Sequence, residues 1–137
     1  MTGPGSGRLA GSVALLVAAG AFALSGCGGG AAAATPSSGN PPGPYVVLAA
    51  RDMAFDAGRL QAPANEAFTM VFANGDAVPH NVSIERVEGG PARVFDGAVF
   101  SGPATRWYAV PALAPGEYTF LCQVHPSMTG RLHVANE

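Results

Sequence analysis

The sequence predicts an all-β domain whose strands form a sandwich or a barrel. Short runs of alternating apolar and polar residues, rich in aromatic and β-branched types, fill the chain from Tyr45 to Glu137. This period of two is typical of strands that bury one face. Gly, Pro, Asn and Asp separate the runs, and no part of the 137-residue sequence carries a helical stripe longer than two turns. Many short strands at this spacing indicate a sandwich or barrel.

Eight strands are predicted in order along this domain. Their expected ranges are 45–50, 52–55, 66–73, 80–88, 92–99, 105–110, 117–122 and 130–135. Turn signals separate them at Asn74-Gly75-Asp76, Gly89-Gly90-Pro91, Ser101-Gly102-Pro103 and Pro115-Gly116. The alternation predicts inward-facing side chains at Phe68, Met70 and Phe72, at His80, Val82 and Ile84, and at Tyr118, Phe120 and Cys122.

The N-terminal segment, residues 1–26, is predicted to be an export signal. Arg8 precedes an uncharged apolar stretch from Leu9 to Leu24, which suits a signal peptide better than a membrane span because it is short and broken by glycine. The stretch Leu24-Ser-Gly-Cys27 resembles the lipobox of bacterial lipoproteins, in which the cysteine becomes the first mature residue and carries diacylglycerol. Acyl chains of this kind anchor a protein to a membrane. A plain signal peptide with an incidental cysteine and an uncleaved N-terminal anchor are the alternatives.

Residues 27–44 are predicted to be a flexible linker rich in Gly, Ala and Pro, without charge. Such a linker would hold the folded domain, residues 45–137, away from a membrane. The whole chain has a formal net charge of −2, and its seven basic residues, all Arg, are scattered. This distribution gives no sign of a nucleic-acid-binding surface.

The sequence contains two cysteines, Cys27 and Cys122. Export would place both in an oxidising compartment, where a disulfide between them is conceivable. Lipidation would instead consume Cys27 and leave Cys122 as an odd thiol, which in an exported protein usually has a function.

The most informative chemical motif is the spacing of Cys122, His125 and Met128, three residues apart at the end of a predicted strand. Pro126 stiffens this loop because it fixes its own φ and restricts His125 to extended conformations. Two imidazoles, one thiolate and a weak axial thioether are the ligands of blue-copper sites. Zinc rarely binds Met, and an iron–sulfur cluster needs more cysteines. The sequence therefore predicts one copper per chain, cycling between Cu(I) and Cu(II).

A second histidine is required, and two are available. His80 shares the inward parity of Val82 and Ile84, whereas His133 lies opposite the buried parity of its own strand. Because alternate side chains point to opposite faces, His80 is the predicted ligand and His133 is expected to be a solvated surface residue.

The segments Phe72–Ile84 (FANGDAVPHNVSI) and Pro115–Gly130 (PGEYTFLCQVHPSMTG) resemble the cupredoxins, and the Cys-x₂-His-x₂-Met spacing is similar to that of an amicyanin-like copper loop. The likeness covers nearly all of residues 45–137. It implies a Greek-key β-sandwich of about eight strands with copper at one end.

The resemblance also implies roles for individual residues. His80, Cys122 and His125 map onto the equatorial copper ligands and Met128 onto the axial one. Asn81 matches the residue that ties the two ligand loops together in the family.

By the same resemblance, the expected function is electron transfer rather than catalysis. His125 would be the residue through which the electron enters and leaves. The partner would be another redox protein, such as a cytochrome or a terminal oxidase, at the membrane to which the N-terminal lipid anchors the chain. Three histidines in all are too few for the additional copper sites of oxidases and nitrite reductases, so no enzyme activity is expected. A monomer in the periplasm or on the cell surface is expected.

Copper storage or delivery is the alternative function, although the sequence lacks the Met- or His-rich tracts typical of such proteins. An adhesion role without metal is a third possibility.

Overall fold

The computed structural model of the chain describes residues 33–34, 39–89 and 92–136. These residues contain twelve β-strands and no helix. The strands are β1 (Ala33–Ala34), β2 (Tyr45–Arg51), β3 (Ala54–Phe55), β4 (Arg59–Pro63), β5 (Phe68–Asn74), β6 (Pro79–His80), β7 (Ser83–Arg86), β8 (Ala92–Asp96), β9 (Phe100–Ser101), β10 (Ala104–Val110), β11 (Gly116–Leu121) and β12 (Thr129–Ala135).

Two five-stranded sheets form the layers of a sandwich. One sheet has the order β1-β10-β5-β2-β3, the other has the order β4-β12-β11-β7-β8, and β6 and β9 form a separate pair. Most neighbours are antiparallel, but β2 pairs with β5 and β4 pairs with β12 in parallel. Of the described strands, eight have four or more residues, which confirms the predicted β-sandwich of about eight strands.

The core lies between the apolar faces of the two sheets. Along β5, Phe68, Met70 and Phe72 are buried while the residues between them are partly exposed, and Tyr118 and Phe120 are buried in the same way along β11. The predicted inward parity is therefore confirmed. Full burial of one such side chain contributes about 1.5–3 kcal/mol relative to exposure, so these faces hold the two layers together.

Strand β4 was not predicted. Its sequence, Arg-Leu-Gln-Ala-Pro, contains residue types that are uncommon in strands. The parallel pairing with β12 places Leu60 beside Leu132, and both are buried. Tertiary contacts therefore outweigh the weak strand propensity of Arg59–Pro63.

The predicted strand 80–88 is wrong in its continuity. It divides into β6 and β7 because Asn81, which the alternation placed outside, is fully buried and turns its side chain inward. The predicted strand 52–55 is reduced to Ala54–Phe55, since Asp52 and Met53 form a turn with left-handed φ values of 53° and 62°.

The ends of several strands meet at one end of the sandwich and position the functional site. Strand β5 leads through the loop 75–78 to β6, and the loop 122–128 connects β11 to β12. The predicted export signal and Cys27 lie outside the described residues, as does most of the predicted linker. In the described part of the chain, no helix has the length and apolar character needed to cross a membrane.

Candidate metal centre

The loop between β11 and β12 is closed on itself by two backbone hydrogen bonds. The Cys122 amide donates to the Met128 carbonyl at 3.0 Å, and the Met128 amide donates to the His125 carbonyl at 2.9 Å. Cys122 and Met128 are buried, whereas His125 is partly exposed and Pro126 is exposed. The loop therefore presents two buried sulfur-bearing side chains and one imidazole that reaches toward solvent.

His80 reaches the same place from a distant part of the chain. It lies on β6, opposite Phe100 of β9, and its side chain has no exposed surface. This burial confirms the inward parity that distinguished His80 from His133. The chain brings together residues separated by more than forty positions because β7 and β11 are adjacent strands of one sheet.

Three donor atoms converge at this end of the sandwich. The Cys122 Sγ lies 3.8 Å from the Nδ1 of His80 and 3.8 Å from the Nδ1 of His125, and the two Nδ1 atoms are 3.0 Å apart. A point equidistant from the three atoms lies about 2.1 Å from each of them, within the range of roughly 2.0–2.3 Å found for bonds from a metal to nitrogen or sulfur in proteins. The three side chains thus fit a single metal ion.

The donor set distinguishes among metals. A thiolate and two imidazoles in a trigonal set, with Met128 buried on the same loop, form the arrangement of a type 1 copper site. The described residues offer no fourth His, Cys, Asp or Glu within this cluster, so the closed tetrahedral sets typical of structural zinc are not formed there.

Asn81 connects the two loops that carry the ligands. Its side-chain oxygen accepts a hydrogen bond from the Gln123 amide at 2.8 Å, and its Nδ2 donates to the Gln123 Oε1 at 2.6 Å and to the Gly97 carbonyl at 2.9 Å. Both Asn81 and the adjoining His80 are fully buried. These hydrogen bonds join the segment that follows β6 to the loop 122–128.

Asp76 contacts the candidate site, although the sequence pattern indicates only a turn at this position. The Nε2 of His80, on the opposite side of the ring from Cys122, donates to Asp76 Oδ2 at 2.9 Å. The backbone amides of Met53 and Asp52 donate to the same carboxylate. These amides, together with His80, hold the pKa of Asp76 below its ordinary value. A carboxylate four residues before a candidate ligand is the signal that could have identified it.

His133 takes no part in the centre. Its side chain is 49% exposed, and its Nδ1 contacts the carboxylate of Glu117 on the neighbouring strand. The prediction that His133 is a solvated surface residue is confirmed.

Comparison with protein families identifies the fold. A family profile described as the cupredoxin-like domain matches residues 14–134. The chain belongs to the cupredoxin-like family. The match begins within the predicted export signal. A sequence comparison with curated proteins gave no significant match.

Solved cupredoxin structures superpose on the chain. Amicyanin from Paracoccus versutus shares 27% identity over 69% of this chain and 85% of its own, with a TM-score of 0.53. Auracyanin A, a "blue" copper protein from Chloroflexus aurantiacus, shares 21% identity over 67% of this chain and 99% of its own, with a TM-score of 0.57. Auracyanin from Roseiflexus castenholzii shares 21% sequence identity over 68% of this chain and 98% of its own, with a TM-score of 0.58. At this identity, the auracyanins support the cupredoxin fold alone.

Proposed function

We propose that the protein is an extracytoplasmic type 1 copper protein that carries single electrons between redox partners. The observation that carries this proposal is the convergence of the His80, Cys122 and His125 donor atoms at 3.0–3.8 Å from separate loops of a cupredoxin fold. His80, Cys122 and His125 would hold the copper, and Met128 would be the axial ligand. Bound copper supplies a Cu(II)/Cu(I) couple that exchanges one electron.

The surroundings of the site suit electron transfer because they limit movement. His80, Asn81 and Cys122 have no exposed surface, and the two ligand loops are joined through the Asn81–Gln123 hydrogen bonds. Rigid ligands need little rearrangement when the charge of the site changes. The four proposed protein ligands would also leave no coordination position of the copper open for a substrate. No catalytic step is proposed for this reason.

The surface beside the site gives the electron a route to a partner. His125 is the proposed ligand with an exposed portion, and its neighbours Val124 and Pro126 are exposed as well. Val78 and Val99, next to the β6–β9 pair, are also exposed apolar residues. Exposed apolar residues beside His125 and beside the β6–β9 pair support docking of another redox protein, such as a cytochrome or a terminal oxidase.

The proposal includes export and anchoring through the N-terminus. The apolar stretch that ends at Leu24-Ser-Gly-Cys27 supports cleavage before Cys27 and attachment of lipid to its thiol. In cells that process lipoproteins, the wild-type chain should take up radiolabelled fatty acid and Cys27→Ser should not. A wild-type chain that fractionates with membranes but takes up no fatty acid would contradict lipidation and support an uncleaved anchor.

Electron exchange tests the proposed function against copper delivery. The copper-loaded full chain should accept one electron per copper and pass it rapidly to an oxidised cytochrome, while keeping its metal. Rapid transfer of copper to a metal-free acceptor protein, with slow electron exchange, would contradict electron transfer and favour storage or delivery.

A further inference from the structure

The carboxylate of Asp76 joins an exposed turn to the buried histidine of the site. It accepts hydrogen bonds from the amide of Asp52 at 2.9 Å and from the amide of Met53 at 3.1 Å. It also accepts the His80 Nε2–H at 2.9 Å. The Asp76 side chain is 18% exposed and that of His80 is fully buried, so the carboxylate lies at the boundary between solvent and the site.

The backbone around Asp76 fixes the position of this carboxylate. The Asp76 amide donates to the side-chain oxygen of Asn74, and its carbonyl accepts from the Gly102 amide at 3.0 Å. The Asn74 Nδ2 in turn donates to the carbonyls of Val78 and Phe100. The loop that leads to His80 is therefore held on both sides, and the Asp76 side chain has little freedom to leave the His80 ring.

The turn that donates to Asp76 has an uncommon backbone. Asp52 and Met53 are consecutive non-glycine residues with φ values of 53° and 62°, a conformation that L-residues seldom adopt. This conformation directs both amides at one carboxylate. Such outliers persist where surrounding contacts over-determine them, and here the contacts include the group that touches His80.

We propose that Asp76 is a positioning residue for His80, holding its ring with the Nδ1 toward Cys122 and His125 and favouring the oxidised form of the bound copper. This inference rests on the proposed function. A carboxylate that accepts the outer N–H of a metal-bound histidine fixes the ring orientation and makes the ligand more basic. A more basic ligand stabilises Cu(II) over Cu(I), so Asp76 lowers the reduction potential.

Asp76→Asn tests the proposal because the amide has one acceptor oxygen for three donors. Loss of an outer-shell partner typically costs 10–100-fold in metal affinity, and we expect the ratio of Cu(II) to Cu(I) affinity to fall by about tenfold. For one electron this equals a rise of about 59 mV in reduction potential. The visible spectrum should shift in position or intensity as the His80 ring reorients.

Asp52→Asn is the matched control. It removes one negative charge from the same turn, keeps the backbone amide that donates to Asp76, and introduces a residue that tolerates left-handed φ. Its potential should stay close to that of the wild type. Equal shifts in the two variants would overturn the proposal, since the effect would then be one of general charge. The difference should also persist at high salt, which screens exposed charges.

A measurement on the wild-type protein covers the case in which Asp76→Asn does not fold. In the diamagnetic Cu(I) protein, the His80 Nε2 proton should exchange slowly with solvent and give a distinct NMR signal. Rapid exchange would overturn the hydrogen bond and the proposal. A wild-type chain that binds no copper would refute the proposed function itself, whereas a blue wild type with an unshifted Asp76→Asn potential would refute only the role of Asp76.

Discussion

The Nδ1 atoms of His80 and His125 lie 3.0 Å apart, although the two residues are 45 positions apart in the chain. Two ring nitrogens at this distance, both near the Cys122 sulfur, have the spacing that two ligands of one metal ion would need. The hydrogen bonds that hold the two loops in this position, and the close packing beneath them, lead to specific expectations.

The Asn81 side chain is expected to stabilise the site before metal binds. Asn81→Ala leaves the Gln123 amide and the Gly97 carbonyl without the partner that they have now. Unsatisfied buried groups cost about 1–3 kcal/mol each, so the denaturation midpoint of the metal-free protein should fall accordingly. Asn136→Ala, at an exposed position, should stay within about 0.5 kcal/mol of the wild type. Equal midpoints for the two variants would contradict the role of Asn81.

Gly130 is expected to be intolerant of any side chain. A Cβ at this position would overlap the buried ring of Phe120, whereas a Cβ at Gly58 would meet nothing within 4 Å. Gly130→Ala should lower the free energy of unfolding by about 1–3 kcal/mol through overpacking, and Gly58→Ala should have little effect. Urea denaturation checks both. A Gly130→Ala protein as stable as Gly58→Ala would show that the Phe120 ring moves without cost.

Met128 is expected to tune the reduction potential without being required for colour. In Met128→Gln, an oxygen ligand would replace the softer thioether and favour Cu(II) more strongly, so the reduction potential should fall. A tenfold rise in the ratio of Cu(II) to Cu(I) affinity corresponds to a fall of about 59 mV. Voltammetry measures the change. Val87→Gln, at an exposed position outside the site, is the control and should keep the wild-type potential. An unchanged potential in Met128→Gln would remove Met128 from the site.

Tyr108 is expected to make the stability of the fold sensitive to alkaline pH. Burial raises the pKa of its hydroxyl from 10.0 to about 12, and the hydroxyl donates to the Ala98 carbonyl. Because the folded pKa is the higher one, this group contributes full stability below pH 10.0 and loses it as the pH rises toward about 12. Tyr108→Phe should lower the free energy of unfolding at neutral pH by about 0.5–1.5 kcal/mol. Between neutral and alkaline pH, its unfolding free energy should fall less than that of the wild type. An identical alkaline loss in the two proteins would contradict this assignment.

Side-chain parity along single strands could be predicted from the sequence, and it located much of the candidate site. His80 lies on β6 and Cys122 directly follows β11, and both are buried, as the alternation in their segments predicted. The Asp76 contact could not be found in this way, because it depends on how the turn at Asp52 meets the loop after β5. Strand β4 could not be predicted for a similar reason, since its stability comes from parallel pairing with β12.

The visible absorption spectrum of the copper-loaded full chain tests the central claim most directly. If His80, Cys122 and His125 bind copper together, the Cu(II) protein should show an intense charge-transfer band from the Cys122 thiolate. The band should vanish in Cys122→Ser and persist in His133→Ala, which alters an exposed histidine outside the site. A colourless wild-type protein, or a band that survives Cys122→Ser, would contradict the account.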